Sequence, residues 1–465
     1  MNHNHSLTAR PLLCDGPTTD TSLTAMANLQ SAQDIELAQI PPVQAAPERW
    51  QTAEGAKVSF IETHGRPMFD LALRFRAGSV LDGTSPGLAA LVLSSLDQGT
   101  EQLDAAQFAA QMAGYSAILS RKISDDSAVI TLRCLSLPTL RASAMQLLTD
   151  MLARPALRKA DIGKVRKRMA FNRSNPDIPS IQLAKTTTAH VFNGHPYASS
   201  PTKDTINSIS DEQIRAFHQQ TYSANNLDIG LVGNLTREEA EQLTNDLAQA
   251  LPQGQASPAP PPAPEYQHLV RHLEADWSAT QAMLIVASRV TPRDPVFPAL
   301  TLLSVILGGT YESRLTQELR TLRKLTYAIH SSLKPLDAAS VLEIRWDTEP
   351  QYRDAAGALV SGLLACLRER GPSQAEFDMA VNQIAGGLHH YLANNAKLAE
   401  ALAIHSHQGL PADHLATFLE KLGALTPADL RKAAQEWLSP DAEVFVTLGP
   451  ATTQLPLPVT PPVDQ

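Results

Sequence analysis

Few residues in this 465-residue chain have the types and spacing that chemistry needs. One pair of hydrogen-bond donors, Arg320 and Tyr327, lies seven positions apart in ELRTLRKLTYAI. A guanidinium presents a fixed fork of donors and a phenol adds one more. In a water-poor cleft the two could hold an oxyanion such as the one that develops on an attacked carbonyl. Spacing alone favours a plainer reading, with Arg320 exposed on an amphipathic helix and Tyr327 starting a strand.

Other candidates fall away on spacing. His389-His390 and His405/His407 sit in polar helical patterns where no Asp or Glu completes a metal-ligand spacing, so they read as surface or core histidines. Cys14, Cys134 and Cys366 are far apart and odd in number. They give neither a disulfide framework nor a CxxC motif, and each reads as a buried or incidental thiol. The net charge of -9 and the lack of a basic stripe with interleaved aromatics argue against nucleic-acid binding. The densest basic run, Lys159 to Arg173, reads as a solvated helical face. No apolar run approaches the ~18 residues of a membrane span, and the longest, Ala299 to Leu307, reads as a core helix.

The elements that would position Arg320 and Tyr327 come in two copies. Phe69 to Ala77 alternates like a half-buried strand; a loop with Gly83 and Pro86 comes next, then the apolar helix Gly87–Leu96, closed by Gly99-Thr100. The second half repeats this order with the strand Ala282–Ala287, a loop with Pro292 and Pro295, the helix Pro298–Leu307, and Gly309-Thr310. Ser210 and Thr426 each cap a helix that leads to a strand ending in glycine, and Pro427 suits a first helical position. Ser210 to Gly233 and Thr426 to Gly449 are both 23 residues. The offset between halves stays at 210–216, from Thr100 to Thr310 and from Ser210 to Thr426.

This duplication predicts an α+β fold of two homologous domains. The expected boundaries are a disordered lead-in at 1–45, domains at 46–251 and 265–452, a Pro-rich extended linker at 252–264, and a loose Pro-rich tail at 453–465. No apolar segment succeeds MNHNH, so the chain reads as cytoplasmic as it stands, or periplasmic if its N-terminus is trimmed.

Several separated blocks, in order, resemble the pitrilysin/insulinase family of zinc metallopeptidases. GLAALVLSSLDQGT (87–100) is similar to the family's GLAHFLEHMLFKGT. RWQTAEGAKVSFIE resembles the opening strand pair, and the passage from FNGHPY to GLVGNL resembles the stretch that closes the first domain. GGTYESRLTQELRTLRKLTYAIHSSL resembles the GGGxSSRLxxELREKxGLAYSV segment of the second domain. The resemblance implies a clam-shell half of two α+β domains, each an antiparallel sheet with helices packed on it, with Arg320 and Tyr327 on the pair that binds the substrate carbonyl. Arg323 lacks the family spacing to the tyrosine. It also implies an inverted zinc motif, His-x-x-Glu-His, whose positions here hold Ala90, Leu93 and Ser94. The third ligand, a Glu expected near Met169–Phe171, has no counterpart, since Ile162 to Asn175 contains no acidic residue. Leu88, Leu91, Val92, Ser95 and Leu96 on the altered helix read as ordinary core packing, and the short Gly308-Gly309 as a helix stop.

With its zinc positions altered, a chain that resembles this family is expected to be a non-catalytic subunit of a heterodimeric peptidase. It would carry no metal, bind peptide, and complete the site of a zinc-bearing sister chain. A structural subunit, like the core proteins of respiratory complexes, and a peptide-binding module with no role in proteolysis stay open beside it. An enzyme with a non-family metal site is a weaker fourth reading.

Overall fold

The structure, a computed structural model, describes residues 46–173 and 179–458. The expected lead-in at 1–45 and the end of the tail, 459–465, lie outside the described residues.

The first sheet contains β1 (Glu48–Gln51), β2 (Lys57–Glu62), β3 (Met68–Phe75), β4 (Ile118–Ile123), β5 (Ala128–Leu135) and β6 (Leu227–Gly233), in the order β1-β2-β6-β3-β5-β4. The second contains β7 (Leu269–Glu274), β8 (Thr280–Ser288), β9 (Ile329–Pro335), β10 (Ser340–Thr348) and β11 (Glu443–Gly449), in the order β7-β11-β8-β10-β9. Without β1 the two orders are the same. Each sheet is antiparallel except for one parallel pair, β2 with β6 and β7 with β11, at the same place in both. The duplication in the sequence is therefore a duplication of topology, and the fold is α+β with helices on two sheets.

Burial explains the strand sequences. In β5, Ala128, Ile130, Leu132 and Cys134 face the core while alternate residues are half exposed. β3 and β6 are buried on both faces, because each sheet is covered twice. One cover comes from the chain's own half, and the other is exchanged. The helix Asn395–His407 from the second half packs on β2, β3 and β6 of the first sheet. The helix Pro179–Val191 from the first half packs on β8 and β11 of the second. Ala72 and Val232 accordingly share a core with Ala399 and Ala403, and Leu183 and Val191 share one with Met283 and Ile285.

The Pro-rich connection is extended and fastened at several points. The Ser257 amide donates to Asn226 Oδ1 at 2.5 Å, and His195 Nε2 lies 2.9 Å from the Pro261 carbonyl. Since His195 Nδ1 accepts from the Tyr197 amide at 3.1 Å, Nε2 carries the proton and donates. The first residues of the tail are docked, not loose: Leu455 N donates to the Gln351 carbonyl at 2.8 Å and Gln454 Nε2 to that of Pro350 at 3.0 Å. Cys134 is a buried free thiol as expected, whereas Cys366 is disulfide-bonded, which corrects its reading as a thiol, and Cys14 lies outside the described residues.

Candidate functional site

The helix Leu88–Leu96 begins at Gly87, whose φ of 101° suits glycine. Its open amides are met from outside the helix. Asp82 accepts from Gly87 N at 2.7 Å and from Ala89 N at 2.8 Å, although burial raises its pKa to about 6. Leu88, Leu91, Val92, Ser95 and Leu96 are buried as expected, and Leu93 is buried with them at 4% exposure. Ala90 and Ser94 are half-buried.

Arg121, on β4, reaches this helix. Its Nη1 donates to the Leu93 carbonyl at 2.8 Å and its Nη2 meets Asp97 at 2.5 Å. Burial lowers the Arg121 pKa most, with Asp97 opposing and Arg168 adding to the fall. On the neighbouring helix Lys159–Arg173, Met169 is half-buried against the core and Phe171 is 78% exposed. These residues do not fit a zinc ion. Ala90 and Leu93 have no donor atom, Ser94 has one weak one, and a guanidinium is bonded to the helix backbone where a cation would need carboxylate or imidazole. Among the described residues no group of three or more His, Cys, Asp or Glu could hold a metal.

In the second half, the helix Phe297–Gly308 stops at Gly309. Gly308 has a further reason to be glycine, since a Cβ there would lie 2.6 Å from the Ser331 amide of β9. Beyond it, Thr316–Leu322 forms a π-helical stretch, a geometry often met at functional sites. The three arginines around it divide sharply. Arg314 is buried and bidentate on Glu376, at 2.6 and 2.9 Å. Arg323 is buried against Glu318 at 3.1 Å, so the arginine without the family spacing is structural. Arg320 is exposed and pairs with no carboxylate among the described residues; its guanidinium carbon stands 6.0 Å from the Tyr311 ring centre.

Tyr327, on the connection from this stretch to β9, is 89% exposed. The Thr326 hydroxyl fixes its backbone by donating to Asp347 at 2.6 Å while accepting from Ala328 N at 3.1 Å. Arg320 and Tyr327 thus flank one braced segment with their polar ends in solvent. An exposed phenol and guanidinium held on a rigid backbone can donate to a carbonyl or oxyanion brought from outside.

The histidines serve structure. His405 stacks edge-on against His414, with ring centres 4.7 Å apart. His407 is buried between Asp228 and Asp337. Arg121 and His407 carry no local signal in the sequence, because each acts across a long chain separation, whereas Asp82 acts only five and seven residues along the chain.

Residues 208–384 match the family described as the peptidase M16 inactive domain. The crystal structure of a peptidase M16 inactive domain from Pseudomonas fluorescens is 31% identical, with a TM-score of 0.86, covering 89% of this chain and 100% of that one. A protease structure from Helicobacter pylori shares the fold at a TM-score of 0.80 and 19% identity, covering 87% of this chain and 100% of that one. By sequence, the non-peptidase homolog YmxG of Helicobacter pylori is 25% identical over 350 residues, 74% of this chain and 81% of its own.

Proposed function

Since the chain belongs to the M16, or pitrilysin/insulinase, peptidase family and is a catalytically inactive member of it, we propose that it is the non-catalytic subunit of a two-chain zinc metallopeptidase. A sister chain brings the zinc on an intact His-x-x-Glu-His helix. This chain, with homologous halves at 46–251 and 265–452, closes over it and offers Arg320 and Tyr327 to the scissile carbonyl. Substrates are peptides or small unfolded proteins able to enter the chamber.

One observation carries the reading. Of the arginines around the π-helical stretch, Arg314 and Arg323 are consumed by buried carboxylates, while Arg320 is left solvent-facing and without a carboxylate among the described residues, seven positions before an exposed Tyr327. A scaffold has no use for such a pair. Ala90, Leu93 and Ser94 are the degenerate zinc-motif positions, and Arg121 bonded to that helix supports their loss of metal.

The test is cleavage of a quenched peptide by this chain, by the sister chain and by their equimolar mixture, each with zinc. Activity confined to the mixture supports the proposal. No gain over the sister chain alone leaves the scaffold or peptide-binding role, and cleavage by this chain alone overturns the reading of its first half.

A further inference from the structure

A cleft of about 380 Å³, lined by neither Arg320 nor Tyr327, opens between the Pro-rich connection and residues that follow β3, β8 and β9. Its walls include Ala259, Pro260, Pro262 and Ala263 on one side and Leu336 on the other, and its charged groups are Arg76, Arg289, Arg293 and Asp337. We propose that this cleft binds a small organic anion, an apolar body bearing a phosphate or carboxylate group.

Charge is the first argument. Three guanidinium groups face one carboxylate, and that carboxylate is already held by His407 at 3.0 Å and Arg76 at 3.8 Å. Arg293 donates through Nε to the Gln408 carbonyl, a neutral acceptor that leaves its charge uncompensated. Arg289 is exposed and bonds no carboxylate among the described residues. Two positive charges therefore line the cleft without a carboxylate partner among the described residues, and guanidinium forks match phosphate and carboxylate oxygens.

Shape is the second argument. The volume lies in the ~300–1,000 Å³ range of small-molecule sites, which pair apolar walls with a few polar groups. The prolyl wall is preorganised, because His195 and Asn226 hold it at Pro261 and Ser257. Little ordering then opposes binding.

Calorimetric titration of the full chain with phenyl phosphate, benzoate and phenol tests the proposal. One or both anions should bind with a dissociation constant on the order of a millimolar or below, more weakly as salt rises. Whichever anion binds more tightly identifies the head group. Arg289→Gln and Arg293→Ala should each lower that affinity by about tenfold or more, with the melting temperature of Arg289→Gln unchanged. Phenol binding as well as the anions would reduce the cleft to an apolar cavity and overturn the proposal. So would an absence of binding by either anion up to about 10 mM, or affinities that neither substitution alters.

Discussion

Nε2 of His407, on the helix that covers the first sheet, lies 3.0 Å from Oδ2 of Asp337, in the turn between β9 and β10 of the second sheet. Nδ1 of the same ring is 3.4 Å from Asp228 of β6, an ion-pair distance without good hydrogen-bond geometry. One buried imidazole thus joins the two sheets. Arg76 also donates to the His407 carbonyl at 3.1 Å, and Ser406 donates to Asp228 at 2.6 Å.

His407 should make stability fall as pH rises above neutrality. Burial alone would lower its pKa, and Arg74 adds to that, but Asp228 and Asp337 outweigh both and the pKa is raised. A raised folded pKa contributes stability that is fully present below the unfolded value of ~6.5 and lost as pH climbs through the folded one. His407→Gln should cost about 3–5 kcal/mol at pH 6, the range for breaking a buried ion pair. The gap to the parent in urea unfolding should narrow at higher pH. A gap that stays constant with pH would mean the ring is held neutral.

The exchanged helix sets a steric limit at Gly230. A Cβ there would stand 1.9 Å from the Ala399 carbonyl oxygen and 2.9 Å from the Ala403 amide. Both are backbone atoms of a helix locked on the sheet, so neither can yield cheaply. Gly230→Ala should destabilise by ~3 kcal/mol or more, the upper end for overpacking. Gly163→Ala, on a helix with nothing within 4 Å of the added methyl, should instead stabilise by about 0.5–1 kcal/mol. Equal effects in thermal melts would contradict the close crossing.

Arginines a few positions apart should separate stability from activity. Arg314→Ala strips a bidentate partner from buried Glu376 and should cost about 3–5 kcal/mol. Arg320→Ala and Tyr327→Phe change exposed groups and should leave unfolding within ~0.5 kcal/mol of the parent. If the pair serves a partner's active site, Arg320→Ala should lower the kcat of the mixed chains by ~10²–10³-fold, the usual loss for one oxyanion donor. Full activity in both surface variants would remove them from the reaction.

Much of the fold was legible because its punctuation is local. Ser210 and Thr426 form capping boxes with Gln213 and Asp429, Pro427 sits in the first turn, and Gly233 and Gly449 end matching strands, although Gly309 caps its helix while Gly99 lies beyond the Asp97 cap of the first. The exchange of helices was not legible. An amphipathic pattern shows that a helix has a buried face, but not which sheet it buries. The alternation of Phe69 to Ala77 pointed instead to a half-buried strand, whereas β3, like β6, is covered on both faces and keeps Asp70 and Asp228 buried. Arg320 and Tyr327 came from a resemblance rather than from periodicity. The structure adds what the sequence could not, namely that the two neighbouring arginines are spent on buried carboxylates.

Acid should act on the chain through a second histidine pair. His405, at the edge of the same exchanged helix, has its pKa depressed to about 3 by burial, then by His414 and Arg49. His414, on the helix His414–Gly423, is depressed to about 4 by burial and Lys421. A histidine kept neutral in the fold binds fewer protons than its unfolded counterpart, so its contribution is lost as pH falls below ~6.5. At pH 5 the cost for His405 reaches at most about 2 kcal/mol, reduced by partial solvent screening. Asp82 and Asp126, both raised to about 6 by burial, act in the opposite sense between their unfolded pKa and that value. The parent's total slope therefore mixes the two effects, and the clean measurement is a difference. His405→Leu should flatten the fall in urea stability between pH 6.5 and 5 relative to the parent, while costing little at pH 7.5. A slope unchanged by the substitution would show that His405 is solvated and titrates normally.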